Sequence, residues 1–105
     1  MTRPARLSPR AIEDLREAAA WIAQDNPAAA RALRAVVRQA AMRIAEFPRS
    51  APLRPELVPP PARVLALPGW PYLLIYEETA SRVLILRLIH AARDVPDTMS
   101  RDLPG

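Results

Sequence analysis

The chain has 105 residues, half of them apolar and a quarter charged, with 15 basic against 11 acidic side chains. That is enough for one domain (1–105) with a single core, and too little for a second lobe. The absence of cysteine excludes disulfides and thiolate metal sites. A lone histidine, His90, speaks against a protein-built zinc site, so no metal and no cofactor is expected.

No apolar run approaches the ~18 residues of a membrane span, and Met1-Thr2-Arg3-Pro4-Ala5-Arg6 lacks the apolar stretch of a secretory signal. A cytoplasmic protein without membrane contact is the expectation. All 15 basic residues are arginine. A composition also rich in alanine and proline is what GC-rich coding gives, which accounts for the missing lysine. The net charge of +4 still suits an acidic partner or nucleic acid, and direct nucleic-acid binding stays open.

In chain order, Ala5 to Leu7 reads as a short strand. Ser8-Pro9 then starts a helix, a hydroxyl capping free N–H groups with proline at the first helical position. Glu13 and Asp14 in its early turns suit the helix dipole. Ile12, Leu15, Ala19 and Ile22 recur at helical spacing as its apolar stripe, which places Trp21 in core or hairpin packing. Asn26-Pro27 repeats the cap and opens a second helix to about Glu46. Leu33, Val36, Val37, Ala40, Ile44 and Phe47 share one face of it, opposite a solvated row of Arg31, Arg34 and Arg38. Residues Pro48 to Pro71 hold eight of the 13 prolines and predict an extended linker.

Strand sequence follows: Arg63 to Leu67, stopped by Pro68-Gly69; Tyr72 to Tyr76; a turn over Glu77 to Ser81; and Arg82 to His90, whose near-continuous apolar character places it at the sheet centre. The predicted fold class is α+β, in the order β-α-α-β-β-β. An N-terminal strand and an antiparallel helical hairpin pack on a small, mainly antiparallel sheet. Leu33, Val36, Val37, Ala40 and Ile44 are expected against Ile75 and Ile85. Arg87, set within an apolar strand, must be paired or reach the sheet rim.

Several stretches together resemble the ParE-type toxins of the RelE/ParE superfamily: Leu7-Ser8-Pro9-Arg10-Ala11-Ile12-Glu13-Asp14-Leu15, Trp21-Ile22 followed by Asn26-Pro27 and Ala30, Pro71-Tyr72-Leu73-Leu74-Ile75-Tyr76, and Leu84 to Asp94. The resemblance implies a toxin of a type II toxin–antitoxin module, associated with plasmid stabilization. Its partner would be a ParD-like antitoxin in a hetero-oligomer, and its probable target DNA gyrase. The RelE branch implies a different activity, metal-independent cleavage of messenger RNA, and a degenerate antitoxin-binding module is a third alternative. RelE-type sites use arginines on the sheet and a tyrosine or histidine near the C-terminus. Here Leu73 and Pro96 occupy two such positions, and neither can move a proton or hold a phosphate.

Were the chain a ribonuclease, His90, Arg93 and Arg63 would be its catalytic residues; in the binder reading there are none. In the binder reading Arg93, Arg101 and Trp70 are the candidates for target binding, and Leu73, Tyr76 and Arg87 for the antitoxin. A structural alternative stands beside these roles. His90 would close the last strand by hydrogen bonding, and Arg93 would pair with Asp94, Asp97 or a helical carboxylate. Trp70, in the Pro68-Gly69-Trp70-Pro71 turn, is either an interface anchor or folded back on Tyr72. With only Gly69 and Gly105 in the chain, there is no glycine-rich phosphate loop.

Overall fold

The computed structural model describes residues 3–94. Ser8 caps the first helix, α1 (Pro9–Ala23), its hydroxyl accepting from the Ala11 N–H with Pro9 in the first turn. Asn26 does the same for α2 (Pro27–Glu46), accepting from Ala29. Three residues separate the helices, so they fold back as an antiparallel hairpin.

The strands are β1 (Arg6–Leu7), β2 (Arg63–Ala66), β3 (Tyr72–Glu78) and β4 (Val83–His90). They form one sheet in the order β1-β4-β3-β2. β1 runs parallel to β4, whereas β2–β3 and β3–β4 are antiparallel, so the fold is α+β with a mixed sheet. β4 lies inside the sheet, as its apolar run demands.

One face of the sheet carries the helical hairpin. Leu33, Val37, Ala40 and Ile44 of α2 are buried in one cluster with Leu74, Tyr76 and Ile85. Burial of each such aliphatic side chain contributes about 1.5–3 kcal/mol. Two expectations fail here. Ile75 belongs to the opposite face, because strand side chains alternate and its neighbours Leu74 and Tyr76 point to the helices. Ile12 and Phe47 are half exposed, at 47% and 52%. α1 buries Ala11 in place of Ile12, along with the expected Ala19, and packs Leu15 and Ile22 against the core.

The other face is covered by the proline-rich stretch. Val58 and Ala62 pack with Val64, Ile75 and Ile89 into a second cluster, flanked by Leu57, Leu73 and Leu86. The expected linker is therefore a packed cover, pinned by the Val64 N–H donating to Pro52 O at 3.2 Å and by a Leu53–Arg63 bridge. Prolines rule out regular ladders, but they do not prevent Val58 and Ala62 between them from filling a core.

β1 spans only two residues, which leaves most of one β4 edge without a partner strand. Side chains close that edge. Ser8 Oγ donates to Leu86 O at 2.9 Å, and Asp14 accepts from the Leu88 N–H at 3.0 Å. Asp14 also receives Arg87, from Nε at 2.7 Å and Nη2 at 3.1 Å, while Arg10 lies 3.6 Å from its other side. Arg87 thus gains the partner its apolar surroundings require, at 5% exposure. An edge whose polar groups are already bonded cannot recruit a stray strand.

Candidate functional site

The end of β4 gathers most of the residues singled out by sequence. His90 lies across from Tyr72 in the β3–β4 register, and their rings meet edge to face, 5.4 Å apart at 81°. The His90 N–H donates to Asp94 Oδ2 at 2.8 Å, and the Asp94 N–H returns to His90 O at 2.9 Å. His90 Nδ1 accepts from the N–H groups of Ala92 and Arg93 at 3.2 and 3.3 Å. With Nδ1 accepting, the neutral ring carries its proton on Nε2. His90 therefore closes the strand and fixes the turn after it, as its structural alternative proposed.

That turn directs Arg93 outward. Among the described residues Arg93 makes no ion pair; Asp94, a proposed partner, is engaged with His90 instead. Trp70 arrives from the β2–β3 connection. The Trp70 N–H donates to Leu67 O at 3.1 Å, closing a tight turn over Pro68 and Gly69. Gly69 has φ of +80°, the conformation that the third position of a type II turn requires and that glycine adopts without strain. The turn brings Trp70 back, half-buried, onto the main core.

Trp21 completes the site and departs from expectation. It is 63% exposed rather than packed in the hairpin. It follows Ala19 by two positions, about 200° around the helix, so a helix that buries Ala19 turns Trp21 outward. A helical wheel centred on Ala11 and Ala19 would have found it. Between Trp21 of α1 and the sheet end lies a cleft of about 310 Å³, lined by Trp21, Ile22, Trp70, Tyr72, His90 and Arg93. A second hollow of about 260 Å³ shares Trp21, Tyr72 and Arg93 and reaches Asp14, Glu17 and Asp94. Aromatic rings, a guanidinium with no ion pair among the described residues and a rim of carboxylates are the side chains that protein interfaces favour.

The other named residues are elsewhere. Arg63 stands opposite Tyr76 on β2, its Nη1 donating to Ala51 O at 2.8 Å. Tyr76 is four positions along β3 from the Tyr72–His90 pair, roughly 13 Å at strand rise, so His90, Arg93 and Arg63 do not converge. Leu73 is half-buried beside the second cluster. Tyr76 and Arg87, expected to face an antitoxin, both have side-chain partners inside the domain. Tyr76 is buried and donates its hydroxyl to Pro48 O at 2.9 Å, and Arg87 is bound to Asp14. Contact through either would first break those bonds. Arg101, Pro96 and Asp97 lie outside the described residues. Among the described residues no group of three or more acidic, histidine or cysteine side chains could hold a metal ion, and no helix is long and apolar enough to cross a membrane.

A helical hairpin on a mixed four-stranded sheet, with an aromatic cleft at the end of its last strand, defines an α+β fold of the class implied by the sequence resemblance. The family described as the ParE toxin of the type II toxin–antitoxin system parDE matches residues 5–95, and the chain belongs to that family. Membership implies a ParD-type antitoxin as partner. Among solved structures, a chain described as the chromosomal ParDE TA system from P. aeruginosa has a TM-score of 0.70 at 19% identity. The likeness covers 85% of this chain and 96% of that one, and at such identity it is a likeness of fold. No curated protein sequence matches the chain.

Proposed function

We propose that this ParE-family toxin is cytoplasmic, is silenced by its ParD-type antitoxin, and acts by binding DNA gyrase rather than by cutting RNA. The dispersal of the candidate nuclease residues carries this reading. Metal-free RNA cleavage needs a base, a phosphate clamp and an acid around one phosphodiester. Arg63 is held at Ala51 on the far part of β2, His90 Nδ1 is committed to the turn, and Leu73 offers only a hydrocarbon. The cleft of Trp21, Trp70 and Arg93 offers what binding needs instead: amphipathic rings on ordered elements beside an exposed guanidinium.

The test is induction of the toxin without its antitoxin, reading transcripts and DNA topology in the same cells. Broken or unreplicated DNA with intact transcripts, and inhibition of purified gyrase in a supercoiling assay, are the expected results. Rapid messenger RNA cleavage with topology unchanged would restore the nuclease alternative, and neither effect would mark a degenerate antitoxin-binding module. Co-expression with the antitoxin should yield one complex on a sizing column. Two separate peaks would refute the antitoxin part of the reading.

A further inference from the structure

The opposite end of the sheet has a different chemistry. There the β3–β4 turn, β1 and the residues before β1 surround a cleft of about 670 Å³. Three arginines line it, Arg3, Arg6 and Arg82, with the hydroxyl residues Thr79 and Ser81. Among the described residues none of the three arginines makes an ion pair. Glu78, the carboxylate in the lining, is engaged by Arg49 at 3.3 Å. By contrast, Arg10, Arg16, Arg54 and Arg87 each have a carboxylate partner.

The guanidiniums come from two segments, Arg3 and Arg6 from the N-terminal one and Arg82 from the β3–β4 turn, and the fold fixes Arg6 and Arg82 in place. β1 holds Arg6 opposite Leu84, and the Ala5 N–H donates to Ala41 O at 2.9 Å, tying the strand to α2. Arg82 sits in a closed turn: the Thr79 N–H and Oγ1 both donate to Arg82 O, at 2.7 and 2.8 Å, and the Arg82 N–H returns to Thr79 Oγ1. Like charges gathered on ordered backbone repel one another, and a bound anion relieves that repulsion.

We infer that this cleft is a binding site for the phosphodiester backbone of duplex DNA, held without regard to base sequence. Guanidiniums and hydroxyls are the groups that contact phosphate oxygens. The apolar part of the lining comes from small side chains, Pro4, Ala45, Pro48, Ala80 and Val83, with no aromatic ring on which a base could stack. The same lack of large anchors disfavours an acidic peptide, which would need apolar side chains buried alongside its charges. This site is separate from the aromatic cleft and does not depend on gyrase being the target.

The experiment measures binding of the purified full chain to a fluorescent 20-base-pair duplex across a salt series. Two triple variants are compared: Arg3→Gln/Arg6→Gln/Arg82→Gln in the cleft, and Arg31→Gln/Arg34→Gln/Arg38→Gln on the exposed row of α2. Both lower the net charge equally, and circular dichroism checks that each is folded. Three phosphate contacts contribute a log–log salt slope of about −2.7, or roughly 40-fold in affinity over a fourfold rise in salt. The cleft variant should lose about that much slope, and the α2 variant should keep it. Equal losses in both would reduce the effect to net charge and overturn the site, as would loss confined to the α2 variant or no binding by the folded wild type at low salt. A polyglutamate peptide of matched charge that competes as strongly as DNA would assign the cleft to an acidic polypeptide and also refute the inference.

Discussion

The two tyrosines of β3 are four positions apart and serve opposite ends of the molecule. Tyr72 packs edge to face on His90 and forms part of the cleft between Trp21 and Trp70. Tyr76 donates to Pro48 O and so fixes a wall of the arginine cleft. The first end is aromatic and edged by Asp14, Glu17 and Asp94, whereas the second carries three arginines and no aromatic ring. β4 joins them over roughly 24 Å of strand. One antiparallel pair thus carries an aromatic cleft at one end and an arginine cleft at the other. Each end adds side chains from its turn and from neighbouring elements, Trp21 of α1 at the first and Arg6 of β1 at the second, while the ladder between them sets their separation.

The largest expected effect comes from breaking the link between the ends. Asp14 is the carboxylate that pairs with the buried Arg87 and occupies the Leu88 N–H. Asp14→Ala takes the carboxylate from a buried cation and the acceptor from the Leu88 N–H, and should cost about 3–5 kcal/mol in urea unfolding. Adding Arg87→Met should recover much of that loss, because the stranded charge is then gone. A double variant as unstable as Asp14→Ala alone would mean that the strand edge, not the ion pair, is what Asp14 maintains.

The next effect separates the ends. Trp21→Ala removes a ring that is mostly exposed, so stability should change by no more than about 0.5 kcal/mol. Gyrase affinity should fall by about 2 kcal/mol, roughly 30-fold, if Trp21 is an interface anchor. The salt slope for DNA at the arginine end should not move. A Trp21→Ala protein that inhibits supercoiling at the wild-type concentration would remove the aromatic cleft from target binding.

Much of this was legible in the sequence, and the gaps have physical causes. Ser8-Pro9 and Asn26-Pro27 announce both helix starts because cap chemistry is local. The apolar run from Val83 to Ile89 announces an interior strand because burial on both faces leaves no alternation. Arg87 announces the need for a partner but not its identity, since Asp14 is 73 positions away. The stripe of α1 holds at Leu15, Ala19 and Ile22 and fails at Ile12, where bulk suggested burial but Ala11 takes the buried place. Trp21 was hidden in the same way, and with it one wall of the site. The proline stretch was read by its backbone limits, which are silent on the burial of Val58 and Ala62. The arginine cleft was invisible, because Arg3, Arg6 and Arg82 are brought together only by the parallel pairing of β1 with β4.

The smallest effect tests the arginine end through Tyr76. Tyr76→Phe keeps the buried ring and removes the hydroxyl, leaving Pro48 O without that donor, at a cost of about 1 kcal/mol. Burial also raises the Tyr76 phenol above its ordinary value, and the nearby backbone of Ala51 and the charge of Arg63 only partly offset this. The sign of the pH dependence follows. Below pH about 10 the phenol is protonated in both folded and unfolded chains and contributes no slope. Above it the unfolded chain gives up its proton while the folded chain retains it, so the unfolded state gains and stability falls as pH rises toward the folded value. Phenylalanine cannot ionise and is free of that loss. The advantage of the wild type over Tyr76→Phe should therefore be full at neutral pH and shrink from about pH 10 upward in urea unfolding. A difference that stays constant across the alkaline range would show that the phenol titrates alike in both states, and that Pro48 is held by something other than a buried, protonated Tyr76.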